Sequence, residues 1–460
     1  MYQIDFKTPI HVHFIGIGGI SMSGLAEILL QEGFTVSGSD NKESALTKEL
    51  EQKGALLYYG QRASNIQENV DVVVYTAAIH PDNPEYSEAQ SRSLPMLSRA
   101  QLLGQLMKNY ACPIAVSGTH GKTTTSSMIS QILLLADTDP TLSIGGILKA
   151  INGNIRIGHS DIFVTEACEY TNSFLSFFPK IGVILNIEED HLDFFKDINE
   201  IRTSFHKFAA LLPKDGTLII NAEIDQLEEI TADLECNIIT FSSKGTPADY
   251  QASAVTYDSK ACASFTLSAK NQDNQTLSLT VPGLHNVSNA LAAIALADLL
   301  NIEREVTAKA LYEFHGTDRR FELKGEIGGV KIIDDYAHHP TEIKATLTAV
   351  KNYPHQTSWC VFQPHTYTRT KAFMKEFAEA LSLADKVILA DIYPARETDT
   401  LGISSKDLLD LLKELNPNSY YFSSFDEIEN FLLENCIPDD LLITMGAGDV
   451  HIIGEKLLGK

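Results

Sequence analysis

Short apolar runs alternate with amphipathic, helix-length segments along most of the chain. HVHFI is followed by a glycine-containing turn, by a segment with Leu25, Ile28 and Leu29 at helical spacing, and by a second strand-like run that ends at Asp40. The alternation continues through DIFVTEA, IGVILNI and GTLIIN, and later through GVKIIDD, SWCVFQP, ADKVILADIY and DDLLITM. Such alternation is typical of βαβ units and parallel sheets. The pattern therefore predicts an α/β protein.

Changes in this pattern predict the domain organisation. Between about 248 and 282 the runs SAVTY, ASFTLSA and TLSLTV alternate polar and apolar residues, which predicts an antiparallel flank. New strand-like runs follow LSRAQLLGQLMKNYACP and GTDRRFE. We therefore expect a Rossmann-like N-terminal domain at 1–108, a central P-loop ATPase-type domain at 109–321 and a Rossmann-like C-terminal domain at 322–460. The central sheet is expected to be mainly parallel, with the antiparallel flank at one side.

The charge balance disfavours one class of partner. The chain has 60 acidic and 36 basic residues and a formal net charge of −24, whereas nucleic acids and anionic membranes attract clustered Lys and Arg. No run approaches the roughly 18 apolar residues of a membrane span, and the N-terminus has no signal-peptide pattern. The six cysteines are scattered. We expect free thiols in a cytoplasmic protein, either a monomer or a homodimer, without a nucleic-acid or membrane partner.

Residues 118–125, GTHGKTTT, lie between the apolar run PIAVS and the helical segment SSMISQILLLAD. Backbone N–H groups of such a turn and the following helix N-terminus can cradle phosphate, while Lys122 reaches the terminal phosphates and Thr123 ligates Mg²⁺. Only two residues separate Gly118 from Gly121, fewer than in a standard Walker loop, which favours enzymes that use Gly-x-x-Gly-Lys-Thr. A helix N-cap turn with a solvated lysine is the alternative. The nucleotide-binding set comprises Gly118, Thr119, His120, Gly121, Lys122, Thr123 and Thr124.

Two further side chains are expected at the carboxyl ends of strands, where ligands of parallel sheets collect. Glu166 ends the strand of FVTEACEY, and His191 follows that of ILNIEEDHLDFF. Beside phosphates, a carboxylate and an imidazole suit a divalent cation. Taken singly, Glu166 would be a salt-bridged residue and His191 a loop histidine. The acids around His191, namely Glu188, Glu189, Asp190 and Asp193, are expected to form mainly a solvated loop.

GLHNVSNALAA places Asn286 and Asn289 one turn apart on a helix that begins near His285. Side-chain amides donate and accept, as an adenine edge requires, although Asn286 could instead cap the helix. Arg319 and Arg320 lie at the expected hinge, where one can stabilise a transferring phosphate and the other can be a surface charge.

The C-terminal domain offers acids, histidines and an arginine at strand ends. Asp334 and Asp335 end its first strand, which suggests ribose or metal contact, with capping of the helix PTEIKATLTAV as a competing and compatible role. QPHTYTRT offers His365 and Arg369, and the planar fork of Arg369 suits a small carboxylate.

The N-terminal glycine turn is a weaker signal. Gly16, Gly18 and Gly19 resemble a dinucleotide fingerprint, but Ser21 occupies the place of the third glycine. The turn alone leaves NAD and another nucleotide open. Asp40 stands where a ribose-binding acid is expected.

In matching order along almost the whole chain, several segments resemble the motifs of the Mur ligase family: HFIGIGGISMSGLAEILL, SGTHGKTTT, EACEYTNSFL, NIEEDHLDFF, GLHNVSNALAA, GTDRRFE, DDYAHHPTEI and QPHTYTRT. The resemblance implies three domains that bind a UDP-sugar, ATP and an amino acid, and a Mg²⁺-dependent cytoplasmic step of peptidoglycan synthesis. GIGGISMSG and HTYTRT favour the member that joins L-alanine to the lactyl carboxylate of UDP-N-acetylmuramate through an acyl phosphate. Addition of a whole peptide to the same sugar, a sugar kinase and a nonenzymatic nucleotide switch are the alternatives.

The resemblance also implies residue roles. Catalysis is implied for Lys122, His191 and Arg320. Metal binding is implied for Thr123, Glu166 and His191, and L-alanine binding for His338, His365 and Arg369. ATP is implied to contact residues 118–124, Asn286, Asn289, Arg320 and Asp335. The UDP part is implied to contact Gly16, Gly18, Gly19 and Asp40.

Three positions depart from the family pattern. Ser21 stands where glycine is usual, and Thr366 stands where many members have arginine, so recognition of the alanine carboxylate rests more heavily on Arg369. EACEY differs from the commoner EADES, so Cys168 is not expected to be a ligand.

Overall fold

A computed structural model describes residues 2–76, 78–270, 272–395 and 397–460. Its strands form three sheets, drawn from residues 11–98, 112–282 and 322–445. The predicted fold class, a three-domain α/β protein with mainly parallel sheets, is confirmed. The division of the chain at residues 108 and 321 stays a prediction.

The N-terminal sheet is fully parallel, with the Rossmann-like strand order β3-β2-β1-β4-β5. Every residue of the first strand is buried, as expected for a central strand covered on both faces. The predicted strand ends at Ile15 and Asp40 are confirmed. The elements are β1 His11–Ile15, α1 Ile20–Gln31, β2 Thr35–Asp40, α2 Ala45–Gln52, β3 Leu56–Tyr59, β4 Val72–Tyr75, α3 Pro84–Ser91, β5 Met96–Ser98 and α4 Arg99–Met107.

The central sheet has ten strands in the order β15-β14-β13-β12-β11-β10-β6-β9-β7-β8. The predicted antiparallel flank is confirmed by the pairings β13–β14 and β14–β15, and the other edge carries a further antiparallel pair, β7–β8. Its strands are β6 Cys112–Ser117, β7 Thr141–Leu148, β8 Gly153–Arg156, β9 Ile162–Ala167, β10 Ile181–Ile184, β11 Thr217–Asn221, β12 Asn237–Ser242, β13 Tyr250–Tyr257, β14 Cys262–Ala269 and β15 Gln275–Pro282. Its helices are α5 Lys122–Leu135, α6 Ile198–Ala209, α7 Leu227–Thr231, α8 Leu284–Leu299 and α9 Arg304–Tyr312.

The C-terminal sheet has the order β16-β17-β21-β18-β19-β20 and is parallel except at its first strand. Sequence analysis missed this strand, because an edge strand of composition ELKGEI lacks an apolar run. Gly328 and Gly329, both at positive φ, turn it back onto its neighbour. The strands are β16 Glu322–Ile327, β17 Val330–Asp335, β18 Ser358–Phe362, β19 Lys386–Leu389, β20 Ser419–Tyr421 and β21 Leu441–Met445. The helices are α10 Pro340–Val350, α11 Tyr367–Ala372, α12 Met374–Leu381, α13 Ser405–Leu415, α14 Phe425–Asn435 and α15 His451–Leu457.

The two interdomain contacts differ in chemistry. One hydrophobic cluster runs through the N-terminal and central domains and includes Leu106 and Met107 of α4 with Phe174 and Phe177. The hydrophobic clusters of the C-terminal domain, in contrast, draw only on residues beyond 320. Polar side chains join that domain to the central one. Among the described residues, no helix has both the length and the apolar composition that a bilayer crossing requires.

Candidate active site

The phosphate-binding loop joins β6 to α5, and the helix begins at Lys122. Gly118 and Gly121 have φ values of +144° and +82°, which favour glycine. A Cβ atom would lie 2.9 Å from Leu185 Cβ at Gly118 and 2.7 Å from Asn289 Oδ1 at Gly121. The loop therefore needs glycine at both places, for conformation and for space. The amides of Thr119 and His120 donate to the Asn186 carbonyl at 3.2 Å and to Asn186 Oδ1 at 2.7 Å, so anion binding by the loop and the first turn of α5 stays a prediction.

The Lys122 side chain bends back over the loop that precedes it. Its Nζ donates to the carbonyl oxygens of Gly118 and Thr119, the latter at 3.1 Å, and to Glu169 Oε2 at 3.1 Å. Burial by itself lowers the pKa of Lys122, but Glu169 outweighs burial, so the pKa is raised. The lysine is therefore a fixed cation at the end of the phosphate loop.

Glu166 is the penultimate residue of β9 and lies beside the helix N-terminus. Its Oε2 accepts from Thr123 Oγ1 at 3.1 Å, and its Oε1 accepts from Ser126 Oγ at 3.1 Å and from the Gly145 amide at 2.6 Å. A hydroxyl and a carboxylate in contact, next to an anion-binding loop, are the hard oxygen donors that Mg²⁺ prefers. The donor chemistry of Thr123 and Glu166 therefore fits the predicted metal.

Glu169 was missed by sequence analysis, although it lies three residues after Glu166 in EACEY. Only 2% of its surface is exposed, and its Oε1 has no hydrogen-bond partner among the described residues. That orphaned oxygen lies 3.8 Å from His191 Nε2. Burial lowers the pKa of His191, which favours the neutral, ligand-competent imidazole. A buried carboxylate oxygen that lacks a donor, facing a neutral imidazole, fits a second cation.

A cleft of about 540 Å³ opens between the central and C-terminal domains, and it brings together Asn286, Asn289, Arg320 and Asp335. The two asparagines lie on α8, which begins at Leu284, and Asn289 Nδ2 donates to Asn286 Oδ1 at 3.0 Å. Asn286 Nδ2 donates to the Pro282 carbonyl at 2.8 Å. The alternative that Asn286 caps the helix is wrong, because the N-cap residue is Gly283.

In each pair of adjacent residues at the hinge, one residue lines the cleft and the other does not. Arg320 and Asp335 line the cleft, and burial raises the pKa of Asp335 to about 6. Arg319 instead binds Asp334 at 2.9 Å, and Asp334 accepts a second bond from Thr444. The prediction that both acids face the nucleotide is therefore wrong for Asp334, since alternate residues of a strand point to opposite faces.

Two alternatives for the same segment are also wrong. Neither arginine is an isolated surface charge, because Arg319 is held by the fully buried Asp334 and Arg320 lies half-buried at the cleft. The N-cap of α10 is His339, whose Nδ1 accepts from the Thr341 amide, rather than an aspartate.

A smaller cavity of about 120 Å³ brings together all three predicted amino-acid-binding residues, His338, His365 and Arg369, next to His191. Arg369 Nε and Nη2 lie 3.0 and 2.9 Å from Asp190 Oδ1, and Nη1 lies 3.2 Å from His365 Nδ1. Part of the arginine fork is therefore already engaged within the chain. Asp190 is buried, so the expected solvated acidic loop is wrong at this position.

A charged cluster lies where the C-terminal domain meets the phosphate loop. His120 Nδ1 is 3.3 Å from Glu342 Oε1, and its Nε2 is 3.4 Å from Glu188 Oε2, which also accepts from Thr341 Oγ1 at 2.6 Å. Burial lowers the pKa of His120, but Glu342 and Glu188 outweigh burial and raise the pKa to about 9. His120 is therefore an imidazolium held between carboxylates of two domains.

His120, Glu188 and His339 have ligand atoms within 4.8 Å of one another, a spacing that a metal ion could also use. His339 is already committed, because its Nε2 donates to the Glu189 carbonyl at 3.0 Å and its Nδ1 accepts from the Thr341 amide at 3.3 Å. The group is better described as an ion-pair cluster.

The N-terminal glycine turn lies at the carboxyl end of β1. Gly16 has φ +84°, and its amide donates to the Ser39 carbonyl at 2.9 Å. The Gly18 amide donates to Asp40 Oδ2 at 2.9 Å, and a Cβ at Gly18 would lie 2.8 Å from that oxygen. Gly19 is the N-cap of α1. The structure thus brings together all four residues predicted for the UDP part.

The chain belongs to the Mur ligase family. Residues 11–111 match the Mur ligase family catalytic domain, residues 116–297 the Mur ligase middle domain, and residues 319–448 the Mur ligase glutamate ligase domain. The chain is 62% identical to a UDP-N-acetylmuramate--L-alanine ligase of Agathobacter rectalis, with 100% of both proteins covered. It is 53% identical to the protein of that name from Clostridium tetani, with 99% of this chain and 100% of the relative covered.

Solved structures agree with this assignment. UDP-N-acetylmuramate-alanine ligase of Thermotoga maritima matches with a TM-score of 0.81 and 30% identity, and 98% of each chain is covered. A murein peptide ligase from Psychrobacter arcticus matches with a TM-score of 0.73 and 28% identity over 98% of each chain.

Proposed function

We propose that this chain is an ATP-dependent ligase that joins L-alanine to the lactyl carboxylate of UDP-N-acetylmuramate in the cytoplasm, an early step of peptidoglycan precursor synthesis. The observation that carries the proposal is the convergence of Lys122, Glu166, Glu169 and His191 on the carboxyl edge of the central sheet. The identity of 62% with a relative named for this reaction supports L-alanine over a peptide as the amine.

The carboxylate of the sugar acid is a poor acylating group at neutral pH. In the proposed reaction, transfer of the γ-phosphoryl group from ATP gives an acyl phosphate and ADP. The amine of L-alanine then attacks the acyl carbon, and the tetrahedral intermediate expels phosphate. Docking of the C-terminal domain over the site excludes the water that would hydrolyse the acyl phosphate.

Lys122 holds the β- and γ-phosphates in this proposal, which requires its Nζ to exchange the carbonyls of Gly118 and Thr119 for phosphate oxygens. Thr123 and Glu166 would hold Mg²⁺, and His191 would hold a second cation together with Glu169. Cations held there would supply positive charge between the phosphates and the incoming carboxylate. Thr119, His120 and Thr124 complete the loop.

The remaining predicted residues keep their proposed roles. Asn286 and Asn289 meet the adenine side of ATP, while Arg320 and Asp335 contact phosphate and ribose. His338, His365 and Arg369 surround L-alanine, and Asp190 orients the Arg369 fork. The UDP part is bound by Gly16, Gly18, Gly19 and Asp40.

The test is amine-dependent phosphate release from UDP-N-acetylmuramate and ATP, with either L-alanine or a tripeptide as acceptor. We expect release with L-alanine and ¹⁸O transfer from the sugar carboxylate into phosphate. Lys122→Ala should lose turnover on the order of 10³-fold, with its circular dichroism unchanged. Lys309→Ala, which removes an exposed lysine paired with Glu313, is the matched control.

Three results would contradict the proposal. Preference for the tripeptide would make the chain a peptide-adding ligase, and ADP formation without any amine would make it a kinase. Wild-type turnover in Lys122→Ala would remove the lysine from the mechanism.

A further inference from the structure

Arg99 lies where the N-terminal and central sheets face each other. It is the first residue of α4 and directly follows β5, so it lies at the carboxyl edge of the N-terminal sheet. Helix α4 packs closely on the central domain: a Cβ atom at Gly104 would lie 1.9 Å from the Ser176 carbonyl oxygen. The first turn of α4 thereby faces the segment that carries Glu166 and Cys168, and the Glu166 carboxylate lies close enough to act electrostatically on the Arg99 guanidinium.

Arg99 is half-buried and has no hydrogen bond or ion pair with any described residue. The half-buried or buried arginines elsewhere in the described chain are mostly held by carboxylates or carbonyls, as in Arg92–Ile66, Arg156–Asp139, Arg202–Asp225, Arg304–Asp298, Arg319–Asp334 and Arg369–Asp190. The Arg320 side chain likewise has no hydrogen bond or ion pair with a described residue, but its guanidinium lies 5.0 Å from the centre of the Tyr336 ring, and it lines the proposed ATP cleft.

The neighbours of Arg99 do not neutralise it. Both oxygens of Glu166 already accept hydrogen bonds from Thr123, Ser126 and Gly145. Cys168 is a free cysteine, and its thiol makes no hydrogen bond to Arg99 among the described residues. Because Arg99 has no hydrogen-bonding or ionic partner among the described residues, its donors are available to an anion supplied by a ligand.

The sheet geometry distinguishes between the two anions of a sugar nucleotide. The glycine turn that suits a diphosphate follows β1, and the strand order β1-β4-β5 places Arg99 two strands away. At the usual strand spacing, two strands correspond to about 10 Å along the sheet edge. Arg99 is thus displaced from the diphosphate site towards Glu166 and the phosphate loop.

We propose that Arg99 binds the carboxylate of the sugar-linked acid and holds it against the phosphate loop for activation. The inference rests on the proposed function and adds a substrate-binding residue to it. A guanidinium binds a carboxylate through two parallel N–H···O bonds. This ion pair also offsets part of the repulsion between the carboxylate and the triphosphate.

The experiment compares Arg99→Gln and Arg99→Lys with wild type in equilibrium binding of UDP-N-acetylmuramate. UDP-N-acetylglucosamine, which has the diphosphate but no lactyl acid, and UDP itself are the other two probes. We expect Arg99→Gln to weaken binding of UDP-N-acetylmuramate by about 10- to 100-fold and to leave binding of the two acid-free probes unchanged. Arg99→Lys should recover part of the loss. KM for ATP and for L-alanine should stay within twofold of wild type.

Arg62→Ala is the matched control, because Arg62 is an exposed arginine of the same domain. An equal loss of affinity for all three probes would assign Arg99 to the diphosphate and overturn the inference. Unchanged binding of UDP-N-acetylmuramate by Arg99→Gln would overturn it as well. A wild-type protein that bound UDP-N-acetylmuramate but released no phosphate would instead contradict the proposed function, so the two failures are distinguishable.

Discussion

Glu169 links the phosphate loop to the histidine of the candidate metal site. One of its oxygens accepts from Lys122 at 3.1 Å, and the other, which has no hydrogen-bond partner among the described residues, lies 3.8 Å from His191. Removing one member of a buried ion pair leaves its partner uncompensated, which is strongly destabilising. A single carboxylate thus contacts both the lysine of the loop and the histidine of the candidate metal site.

At the residue scale we expect Glu169→Gln to lower kcat on the order of 10²-fold, because the amide keeps the shape but loses the charge that opposes Lys122. The midpoint of thermal unfolding should fall as well. Steady-state kinetics and calorimetry measure both effects. Glu313→Gln, at an exposed partner of Lys309, is the control and should change neither. Wild-type kcat in Glu169→Gln would exclude the carboxylate from the reaction.

At the scale of elements, helix α4 is one of the contacts between the first two domains. It contributes Leu106 and Met107 to the cluster that contains Phe174 and Phe177, and Lys108 Nζ lies 3.8 Å from the centre of the Phe178 ring. The helix can approach the Ser176 carbonyl so closely only because residue 104 is glycine. Packing here outweighs the poor helix propensity of glycine.

Gly104→Ala should therefore destabilise the protein, although alanine is the better helix former by about 1 kcal/mol. The clash is with backbone, which cannot rotate away, and we expect a net loss of about 1–3 kcal/mol in the free energy of unfolding. Denaturant unfolding measures it. Gly454→Ala in α15 is the control, since its Cβ would meet side chains rather than backbone: a methyl group of Ile332 at 3.0 Å and Thr444 atoms at 3.6 and 3.7 Å. A stabilised Gly104→Ala variant would show that α4 does not pack this closely against the Ser176 backbone.

At the scale of the whole molecule, the two domain contacts should behave differently. The first is apolar and continuous with a core, whereas the second consists of ion pairs and hydrogen bonds around His120, Glu188 and Glu342. Polar interfaces of this kind permit relative domain motion. We therefore expect the C-terminal domain to be the one that opens.

Docking of the C-terminal domain should depend on pH through His120. Its pKa rises from 6.5 to about 9 when the carboxylates surround it, so the docked state binds the proton more tightly than the open state. The stabilisation is fully present below pH 6.5 and is lost as pH rises through 9. The rise from 6.5 to about 9 corresponds to a stabilisation on the order of 3 kcal/mol.

Small-angle scattering between pH 6 and pH 10 measures this effect as an increase in the radius of gyration at high pH. His120→Gln should be more open at pH 7 and should lose the dependence. If His120→Gln titrated like wild type, another group would control docking.

Local signals in the sequence determined much of this protein. Glycine spacing with a following helix defined the loop at 118–124, and apolar runs located β1, β2 and the antiparallel flank, because turn geometry and strand burial depend on neighbours in the chain. Ionisable side chains at the ends of apolar runs located Glu166 and His191, because parallel strands all direct their carboxyl ends to one edge.

Only the tertiary structure decided which neighbour of a pair faces the site. Asp335 lines the cleft while Asp334 is buried against Arg319, and Glu169 reaches Lys122 although the sequence gives it no separate signal. Strand β16 lacks an apolar run, and it is recognised as a strand only by its pairing with β17. The pairing of His120 with Glu342 joins residues that are far apart in the chain. Such contacts depend on how the sheets and domains pack against one another, and no local pattern of residues determines which distant residues meet.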